Sequence, residues 1–342
     1  MRVLVATDAW RPQINGVVRS LEHLAQEAPG LGAELLFLTP DQYRSVPLPS
    51  YGEIRLSLVT PGMAARAMDR LAPTHVHVAT EGPVGLAVRA ACLRRGQPFT
   101  TSYHTRFPEY LSARLPMPER WSYAGLRRFH NAGRAVMAST PSLARELAAR
   151  GFRNVVRWTR GVDTALFRPR SGAALGLPGP VFLFVGRLAV EKNVGAFLRL
   201  GLPGTKVVVG EGPARAALEA IDPTARFLGA LTGEALAEVY AAADVFVFPS
   251  RTDTVGIVLL EALASGLPVA AFPVMGPADV IAGSVAGVLD EDLRRAALAA
   301  LAIPRERCRA YGETYTWRES ARQFLANVAD AAGETEILAR AA

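Results

Sequence analysis

The chain of 342 residues has few cysteines and histidines. Its two cysteines, Cys92 and Cys308, and its five histidines have no spacing typical of metal ligands. The sequence therefore favours neither a metal centre nor a disulfide framework. We expect both cysteines to be reduced thiols, as in a cytoplasmic protein.

Long apolar runs are also absent. No stretch approaches the roughly 20 apolar residues that a membrane-spanning helix needs. The opening residues, MRVLVATDAW, contain an apolar run too short for a signal peptide, and no small-residue cleavage site follows, so we interpret them as a first strand. Half of the residues are apolar, which is typical of a globular protein, and the length suffices for two α/β domains with complete cores.

Lysine is almost missing, since 36 of the 38 basic residues are arginine. Residues 1–170 hold 23 arginines against 12 acidic residues, a formal charge of +11, whereas residues 171–342 hold 15 basic and 19 acidic residues, a charge of −4. A compositional bias explains arginine in place of lysine, but not the difference between the halves. The basic half predicts a domain that faces a polyanion or an anionic membrane. Nucleic acid is not expected, because no nucleic-acid motif or aromatic-basic repeat is present.

Short apolar runs alternate with helical patterns along both halves, which predicts two consecutive doubly wound α/β units with parallel sheets. Ligands of such sheets bind beyond the carboxyl ends of the strands, so two units can share one cleft. The stretch 163–180, rich in Pro and Gly, predicts a linker between domains over 1–168 and 175–317. A last helix, about 318–342, is expected to pack back on the first domain. The predicted strands are 3–6, 35–38, 75–79, 99–102, 135–138, 181–185, 206–209, 225–228, 245–248 and 269–272.

The most informative stretch is RTDTVGIVLLEALASGLPV, residues 251–269. It follows an apolar strand and places Asp253 on a loop, with Glu261 eight residues later in the first turns of a helix. The N–H groups at a helix start favour phosphate, and carboxylates accept hydrogen bonds from sugar hydroxyls. This combination predicts a nucleotide-sugar site.

Basic residues follow the first strand of the second half. Arg187 offers a planar fork and Lys192 a point charge, which together suit a diphosphate. The alternative for Lys192 is a solvated surface pair with Glu191. In the first half, Asn15-Gly16 precedes a helix, where glycine lets a backbone N–H approach a phosphate. An ordinary loop into a helix is the alternative there.

Ordered motifs extend along nearly the whole chain, and together they resemble those of the retaining glycosyltransferases of family 4. That family has the GT-B fold, an α/β fold of two Rossmann-like doubly wound domains facing each other across a cleft. The resemblance is greatest to its mannosyltransferase-like and sulfolipid-synthase-like glycolipid branch. The motifs are WRPQINGVVRSL (10–21), TSYHTRFPEYL (101–111), RGVDTALFRP (160–169), VGRLAVEKN (185–193), VVGEGP (208–213) and the stretch 251–269.

The resemblance implies the roles of individual residues. By that resemblance Glu261 holds the ribose hydroxyls, Asp253 and His104 lie near the donor sugar, and Arg187 and Lys192 clamp the diphosphate. The implied catalytic residues are thus His104, Arg187, Lys192 and Asp253. No metal or other cofactor is implied, because the clamp and the helix starts offset the diphosphate charge. The further donor-binding residues are Asn15, Gly16, Gly210, Glu211, Thr254, Val255, Gly256 and Ile257.

The acceptor side is predicted from residues 107–129, which mix aromatic and apolar residues with arginines. That mixture suits a lipid headgroup layer, and a helical pair with one buried and one solvated basic face is the alternative. The residues expected to contact acceptor or membrane are Tyr103, Arg106, Phe107, Tyr110, Arg114, Trp121, Arg127 and Arg128.

The expected function is retaining transfer of a hexose from UDP-glucose, UDP-glucuronate or GDP-mannose to a lipid such as diacylglycerol. The protein is expected to be cytoplasmic and peripherally bound to the inner face of the plasma membrane. One alternative is a GDP-mannose-dependent mannosyltransferase that acts on a soluble or lipid-linked glycan. Another, from a different class, is a catalytically silent nucleotide-sugar binding protein, which the presence of the clamp and both carboxylates disfavours.

Overall fold

The computed structural model describes residues 1–13, 15–48, 51–104, 108, 118–253 and 255–334, with backbone only at 48 and 51–54. The chain divides into two compact units. Unit 1 comprises Met1–Arg160 and the chain from Trp317 onward, and unit 2 comprises Gly161–Thr316. Each unit is built on a six-stranded parallel sheet with helices on both faces.

Unit 1 has the strand order β2-β1-β5-β6-β7-β8, and β3 and β4 form a separate antiparallel hairpin. Its strands are β1 (Arg2–Ala6), β2 (Glu34–Leu38), β3 (Ser45–Leu48), β4 (Tyr51–Ser57), β5 (His75–Val78), β6 (Thr100–Tyr103), β7 (Ala135–Ala138) and β8 (Val155–Arg157). Its helices are α1 (Gly16–Glu27), α2 (Pro61–Leu71), α3 (Pro83–Arg95), α4 (Glu119–His130), α5 (Pro141–Ala149) and a terminal helix (Trp317–Ala332).

Unit 2 has the strand order β11-β10-β9-β12-β13-β14. Its strands are β9 (Val181–Val185), β10 (Thr205–Val209), β11 (Arg226–Gly229), β12 (Val245–Phe248), β13 (Val269–Ala271) and β14 (Gly287–Leu289). Its helices are α6 (Val194–Leu198), α7 (Arg215–Ile221), α8 (Gly233–Ala242), α9 (Ile257–Ala264), α10 (Pro277–Ile281), α11 (Leu293–Ala300) and α12 (Arg305–Gly312). The order reverses between β9 and β12, and ligands of such sheets bind at this switch point.

Strand β9 shows why an unbroken apolar run forms the centre of the unit 2 sheet. Leu183 and Val185 pack in the core on one face, whereas Phe182 and Phe184 pack in the core on the other face. Successive side chains of a strand point to opposite faces, so a strand covered on both sides must be apolar throughout. The alternation of strand and helix that the sequence predicts is confirmed.

The terminal helix belongs to the core of unit 1. Ala321, Phe324, Leu325 and Val328 follow helical spacing and are buried against residues of β1 and α1. Trp158 lies in the same cluster and donates a hydrogen bond to Ser320 Oγ at 3.1 Å. The helix therefore completes the face of the first sheet, although it follows the whole of unit 2 in the chain.

The boundary between the units differs from the sequence expectation. The sequence places residues 161–168 in the first domain, but Val162 and Phe167 are buried in the core of unit 2. The backbone N–H of Val162 also donates to Tyr315 O at 3.0 Å. This stretch has no apolar periodicity, and its contacts are with residues distant in sequence. The sequence therefore gives no local signal of the unit to which it belongs.

Side chains cap the starts of two helices. Thr140 caps α5 through a bond from Leu143 N to its Oγ1 at 3.2 Å. Asp292 caps α11, accepting from Arg294 N at 3.0 Å and Arg295 N at 3.1 Å. Both caps satisfy backbone donors that a helix start leaves open.

Among the described helices, none is long and apolar enough to cross a bilayer.

Buried His77 joins β5 to β6. Its Nδ1 lies 2.8 Å from Thr100 Oγ1, and Ser102 Oγ lies 2.8 Å from its Nε2. Burial, then the charge of Arg160 and then His130, lower the pKa of His77 to about 3. The folded protein thus holds this imidazole neutral, while the unfolded chain protonates it near its ordinary value of 6.5.

The His77→Gln variant is expected to flatten the acid side of the stability profile. The unfolded chain binds a proton at residue 77 below pH 6.5, and the folded chain binds it only near 3, so this histidine costs stability as the pH falls through that window. A glutamine side chain does not titrate, so the slope should decrease by up to about 1.4 kcal/mol per pH unit. Urea unfolding between pH 4.5 and 7.5 measures the slope of the free energy of unfolding with pH. Equal slopes for the variant and the unaltered protein would contradict the prediction.

Candidate functional site

The predicted donor residues of unit 2 lie at the switch point of its sheet. Arg187 follows the end of β9, and Lys192 closes a 3₁₀ turn, Val190–Lys192, shortly after it. Asp253 follows β12, which pairs with β9 in parallel. Because neighbouring parallel strands end at the same edge, this pairing brings together loops that are about 60 residues apart.

Lys192 and Asp253 form an ion pair. The ammonium Nζ donates to Asp253 Oδ1 at 2.5 Å, and the two side chains are 25% and 14% exposed. The other carboxylate oxygen, Oδ2, is buried and has no hydrogen-bond partner among the described residues. An ammonium group has three donors, so the pair presents an acceptor and further N–H groups at one place.

Hydrogen bonds fasten the two loops to each other. Ser250 Oγ and Thr252 Oγ1 donate to Glu191 O at 3.3 and 3.4 Å. Asn193 Nδ2 donates to Pro249 O at 3.1 Å. The position of the ion pair is therefore set by side chains on either side of it, as preorganised sites require.

Close backbone packing explains the glycines of the neighbouring turn. Gly210 has φ +139°, and a Cβ added there would lie 1.9 Å from Gly186 O. The Glu211 carbonyl accepts a bond from Leu188 N at 2.9 Å. The Glu211 carboxylate pairs with Arg215 at the start of α7. The turn is thus held against the loop that carries Arg187.

Glu261 lies on α9 and is 2% exposed. Tyr240 Oη donates to Glu261 Oε2 at 3.0 Å. Gly256, with φ +76°, precedes the helix and gives it no side-chain cap, Val255 is buried, and Ile257 is the first helical residue. The start of α9 therefore presents backbone N–H groups that suit a phosphate. Thr254 lies outside the described residues.

Tyr240 is a residue that the sequence analysis missed. It lies on α8, which is separate from α9 in the chain, and its ring packs against Phe246 and Phe167 with centroids 5.7 and 5.6 Å apart. A tyrosine in an apolar helix is more often a core residue, so no local signal marked it. The hydroxyl orients the carboxylate that the motif singled out.

In unit 1, His104 is hydrogen-bonded to Arg160, another residue that the predicted site did not include. Arg160 Nη2 lies 3.0 Å from His104 Nδ1. A guanidinium group only donates, so Nδ1 is the acceptor and the neutral ring carries its proton on Nε2. Burial, and next the Arg160 charge, lower the pKa of His104 well below 6.5.

Arg160 is buried and has no carboxylate partner among the described residues. Its Nη1 donates to Trp158 O at 2.8 Å, and its Cζ lies 4.1 Å from the centroid of the Trp158 ring. Burial lowers the pKa of Arg160 to about 9. The partners of this charge among the described residues are neutral, which suits a site that receives an anion.

Asn15 caps α1. Its Oδ1 accepts from Val17 N and Val18 N, both at 3.0 Å, and Gly16 is the first residue of the helix. The Asn15 side chain therefore occupies two of the N–H groups at this helix start. A phosphate reaches those two groups only by displacing the Asn15 side chain.

Asp8, which the sequence analysis also missed, fixes the loop after β1. Its carboxylate accepts from Val84 N at 2.8 Å, Gly85 N at 3.1 Å and Thr80 Oγ1 at 2.9 Å. It thereby caps α3 from a loop 76 residues earlier in the chain. Burial raises the pKa of this carboxyl, and the backbone bonds oppose the rise.

Four of the residues expected to contact acceptor or membrane lie in the described part of the chain. The expectation for Tyr103 is wrong, because this side chain is fully buried beside His130 and Phe152. Trp121 is 64% exposed on α4. Arg127 and Arg128 follow it on the same helix and are also exposed. The other four expected residues lie outside the described residues; they are Arg106, Phe107, Tyr110 and Arg114. No cluster of three or more His, Cys, Asp or Glu that could hold a metal ion occurs in the described part of the chain.

In the Arg160→Met variant, the proton of the His104 ring is expected to be no longer restricted to Nε2. Without the guanidinium, Nδ1 loses its donor and the pKa of His104 rises towards 6.5, because a positive neighbour is removed. Nitrogen-15 NMR of the imidazoles reports both changes, with His104→Gln identifying the signal. An unchanged signal from Nδ1 and Nε2 in Arg160→Met would rule out this role of the arginine.

Two family models match the chain. Glycosyltransferase Family 4 matches residues 14–166, and Glycosyl transferases group 1 matches residues 179–303. A GDP-mannose-dependent alpha-mannosyltransferase of Mycobacterium tuberculosis is 34% identical over 318 residues, which are 84% of this chain and 83% of that protein. Sulfoquinovosyl transferase SQD2 of Arabidopsis thaliana is 33% identical over 258 residues, 70% of this chain and 50% of that one.

Solved structures bear on the fold. Sucrose-phosphate synthase from Thermosynechococcus elongatus superposes with a TM-score of 0.77 at 18% identity, covering 94% of this chain and 96% of that one. The resemblance seen in the ordered motifs is confirmed. The chain belongs to glycosyltransferase family 4, with two Rossmann-like units of the GT-B fold, and is a hexosyltransferase.

Proposed function

We propose that the protein transfers a hexose, with retention of configuration and without a metal, from a nucleotide-sugar to a lipid acceptor such as diacylglycerol. The observation that carries the proposal is the Lys192–Asp253 pair at the switch point, whose buried Oδ2 has no hydrogen-bond partner in the described part of the chain. We place the reaction at the cytoplasmic face of the membrane, to which the basic unit 1 binds peripherally.

Lys192 and Arg187 bind the diphosphate in this proposal, together with the N–H groups at the start of α9. These groups are fixed before the reaction, so they stabilise charge as it develops on the leaving group. Asp253 Oδ2 accepts a hydrogen bond from a sugar hydroxyl. Glu261, oriented by Tyr240, accepts bonds from the ribose hydroxyls.

The reaction breaks the bond between the anomeric carbon and the diphosphate oxygen. The acceptor hydroxyl oxygen bonds to the same carbon from the same face, and its proton passes to the leaving diphosphate. The donor sugar gains oxocarbenium character as this bond breaks. This reaction forms no covalent glycosyl-enzyme intermediate, so it needs no nucleophilic carboxylate, in contrast to retaining glycosidases.

The similarity to GDP-mannose-dependent mannosyltransferases supports GDP-mannose as the donor of this protein. UDP-glucose and UDP-glucuronate are the alternatives. The names of the relatives also support a second candidate function, GDP-mannose-dependent transfer to a soluble or lipid-linked glycan. The sulfoquinovosyl transferase relative and the basic unit 1 favour the lipid acceptor.

Substitutions at the ion pair should separate binding from transfer. Lys192→Ala removes a charge-assisted bond to the diphosphate and is expected to weaken nucleoside diphosphate binding by at least about tenfold. Asp253→Asn leaves the ammonium without its carboxylate, so diphosphate affinity should hold or rise while transfer falls by about a hundredfold or more. Calorimetric titration and transfer rates measure the two effects.

The other lysine of the chain supplies the control. Lys206 pairs with Asp222 at 2.9 Å, with side chains 13% and 12% exposed, so Lys206→Ala removes a comparable ion pair from the same unit. It should lower stability and leave nucleotide affinity as in the unaltered protein. Equal losses of affinity in Lys206→Ala and Lys192→Ala would contradict the clamp.

Donor and acceptor are tested together. A nucleotide that binds only the folded protein stabilises it in proportion to ln(1 + [L]/Kd), so GDP should raise the melting temperature more than UDP does at equal concentration. Product should then form from GDP-mannose and diacylglycerol in anionic vesicles. Stabilisation by UDP alone would reassign the donor, and product from soluble glycans but not from diacylglycerol would favour the second candidate function.

A further inference from the structure

A groove of about 470 Å³ on the surface of unit 1 is lined by four arginines. Arg89 comes from α3, Arg127 and Arg128 come from the last turn of α4, and Arg153 comes from the loop before β8. We call these residues the arginine groove. No acidic residue among those that the structure describes contributes to its lining.

The arginine groove lies at the opposite edge of the sheet from His104. His104 follows the carboxyl end of β6, whereas the end of α4 precedes β7 and Arg153 precedes β8. All these strands are parallel, so the groove lies beside their amino ends. A strand of four residues is about 13 Å long, so a ligand in the groove does not reach the His104 edge.

The charges of the arginine groove are not neutralised by carboxylates. Among the described residues, none of the four arginines forms an ion pair. Arg89 donates to Phe129 O at 3.0 Å and to Arg128 O at 2.9 Å, which are neutral acceptors. Burial, followed by the charge of Arg128, lowers the pKa of Arg89, so these like charges repel each other.

Helix capping explains part of this arrangement. Arg89 satisfies carbonyls at the end of α4, and Arg127 Nη1 donates to Arg150 O, after the end of α5, at 3.1 Å. The side chains of Arg128 and Arg153 cap nothing and form no hydrogen bond with described residues. Hydrogen bonds therefore hold the guanidinium groups of Arg89 and Arg127 in place. Those of Arg128 and Arg153 have no structural role among the described residues.

Asn131 holds the two sides of the groove together. Its Oδ1 accepts from Arg153 N at 2.8 Å, and its Nδ2 donates to Gly151 O at 3.0 Å. These bonds tie the loop before β8 to the end of α4. These bonds set the spacing between the backbones that carry Arg128 and Arg153.

We propose that the arginine groove binds a phosphate group, carried by a soluble phosphate ester or by a lipid headgroup. A phosphomonoester carries up to two negative charges and three terminal oxygens, so it can bind several guanidinium forks at once. A groove of this volume suits a small ester. The inference goes beyond the glycosyl transfer proposed above and does not depend on it.

The test compares two double variants of equal charge change. Arg128→Glu with Arg153→Glu reverses the arginines that have no structural task. Arg66→Glu with Arg94→Glu reverses two other arginines of unit 1, on α2 and α3, outside the groove. The probes are glycerol 3-phosphate in calorimetric titrations at low salt, and phosphatidylcholine vesicles with and without phosphatidic acid in cosedimentation.

The groove variant should bind the phosphate probe at least about tenfold more weakly, because charge-assisted bonds are lost, while the control stays within about twofold of the unaltered protein. Binding of glycerol 3-phosphate alone would identify a soluble ester, and binding of phosphatidic acid vesicles alone a headgroup. Equal losses in both variants, or no binding of either probe by the unaltered protein, would overturn the proposal. If the Glu variant does not fold, Arg128→Gln with Arg153→Gln replaces it.

Discussion

The pairing of β9 with β12 is the constraint on which the donor site depends. These strands are far apart in the chain and adjacent in the sheet, so their carboxyl ends carry a lysine and an aspartate into contact. The packing that fixes this pairing is the alternation of Phe182 and Leu183 between two cores. A shift by one residue would exchange the faces of every side chain in the strand, so the apolar run also fixes the register of the loops.

Burial controls protonation in unit 1. Loss of water is the leading cause of the pKa shifts at Asp8, His77, His104 and Arg160. Hydroxyls, backbone amides and carbonyls, rather than opposite charges, satisfy these groups. The Arg160 guanidinium can only donate, so it determines which nitrogen of His104 carries the proton. The hydroxyls beside His77 can donate or accept, so they hold the ring without selecting a tautomer.

Local patterns in the sequence predicted the sheets and indicated the motif residues of unit 2. An apolar run or an Asp-Thr pair is visible within a few residues. The contacts of His104 with Arg160 and of Glu261 with Tyr240 link different elements, so only the folded chain brings them together. The prediction for Tyr103 failed for a related reason, since an aromatic residue at a strand end gives no indication of which elements cover it. A short basic motif likewise does not show at which edge of a sheet it lies, because that depends on the direction of its helix in the fold.

The terminal helix has a consequence for synthesis on the ribosome. Phe324 and Leu325 belong to the core of unit 1, yet they emerge only after all of unit 2 has been translated. Domains generally fold as they leave the ribosome, N-terminal first. Here the half that is begun first is finished last, and until then an apolar face around Val3 and Leu21 lacks the helix that covers it.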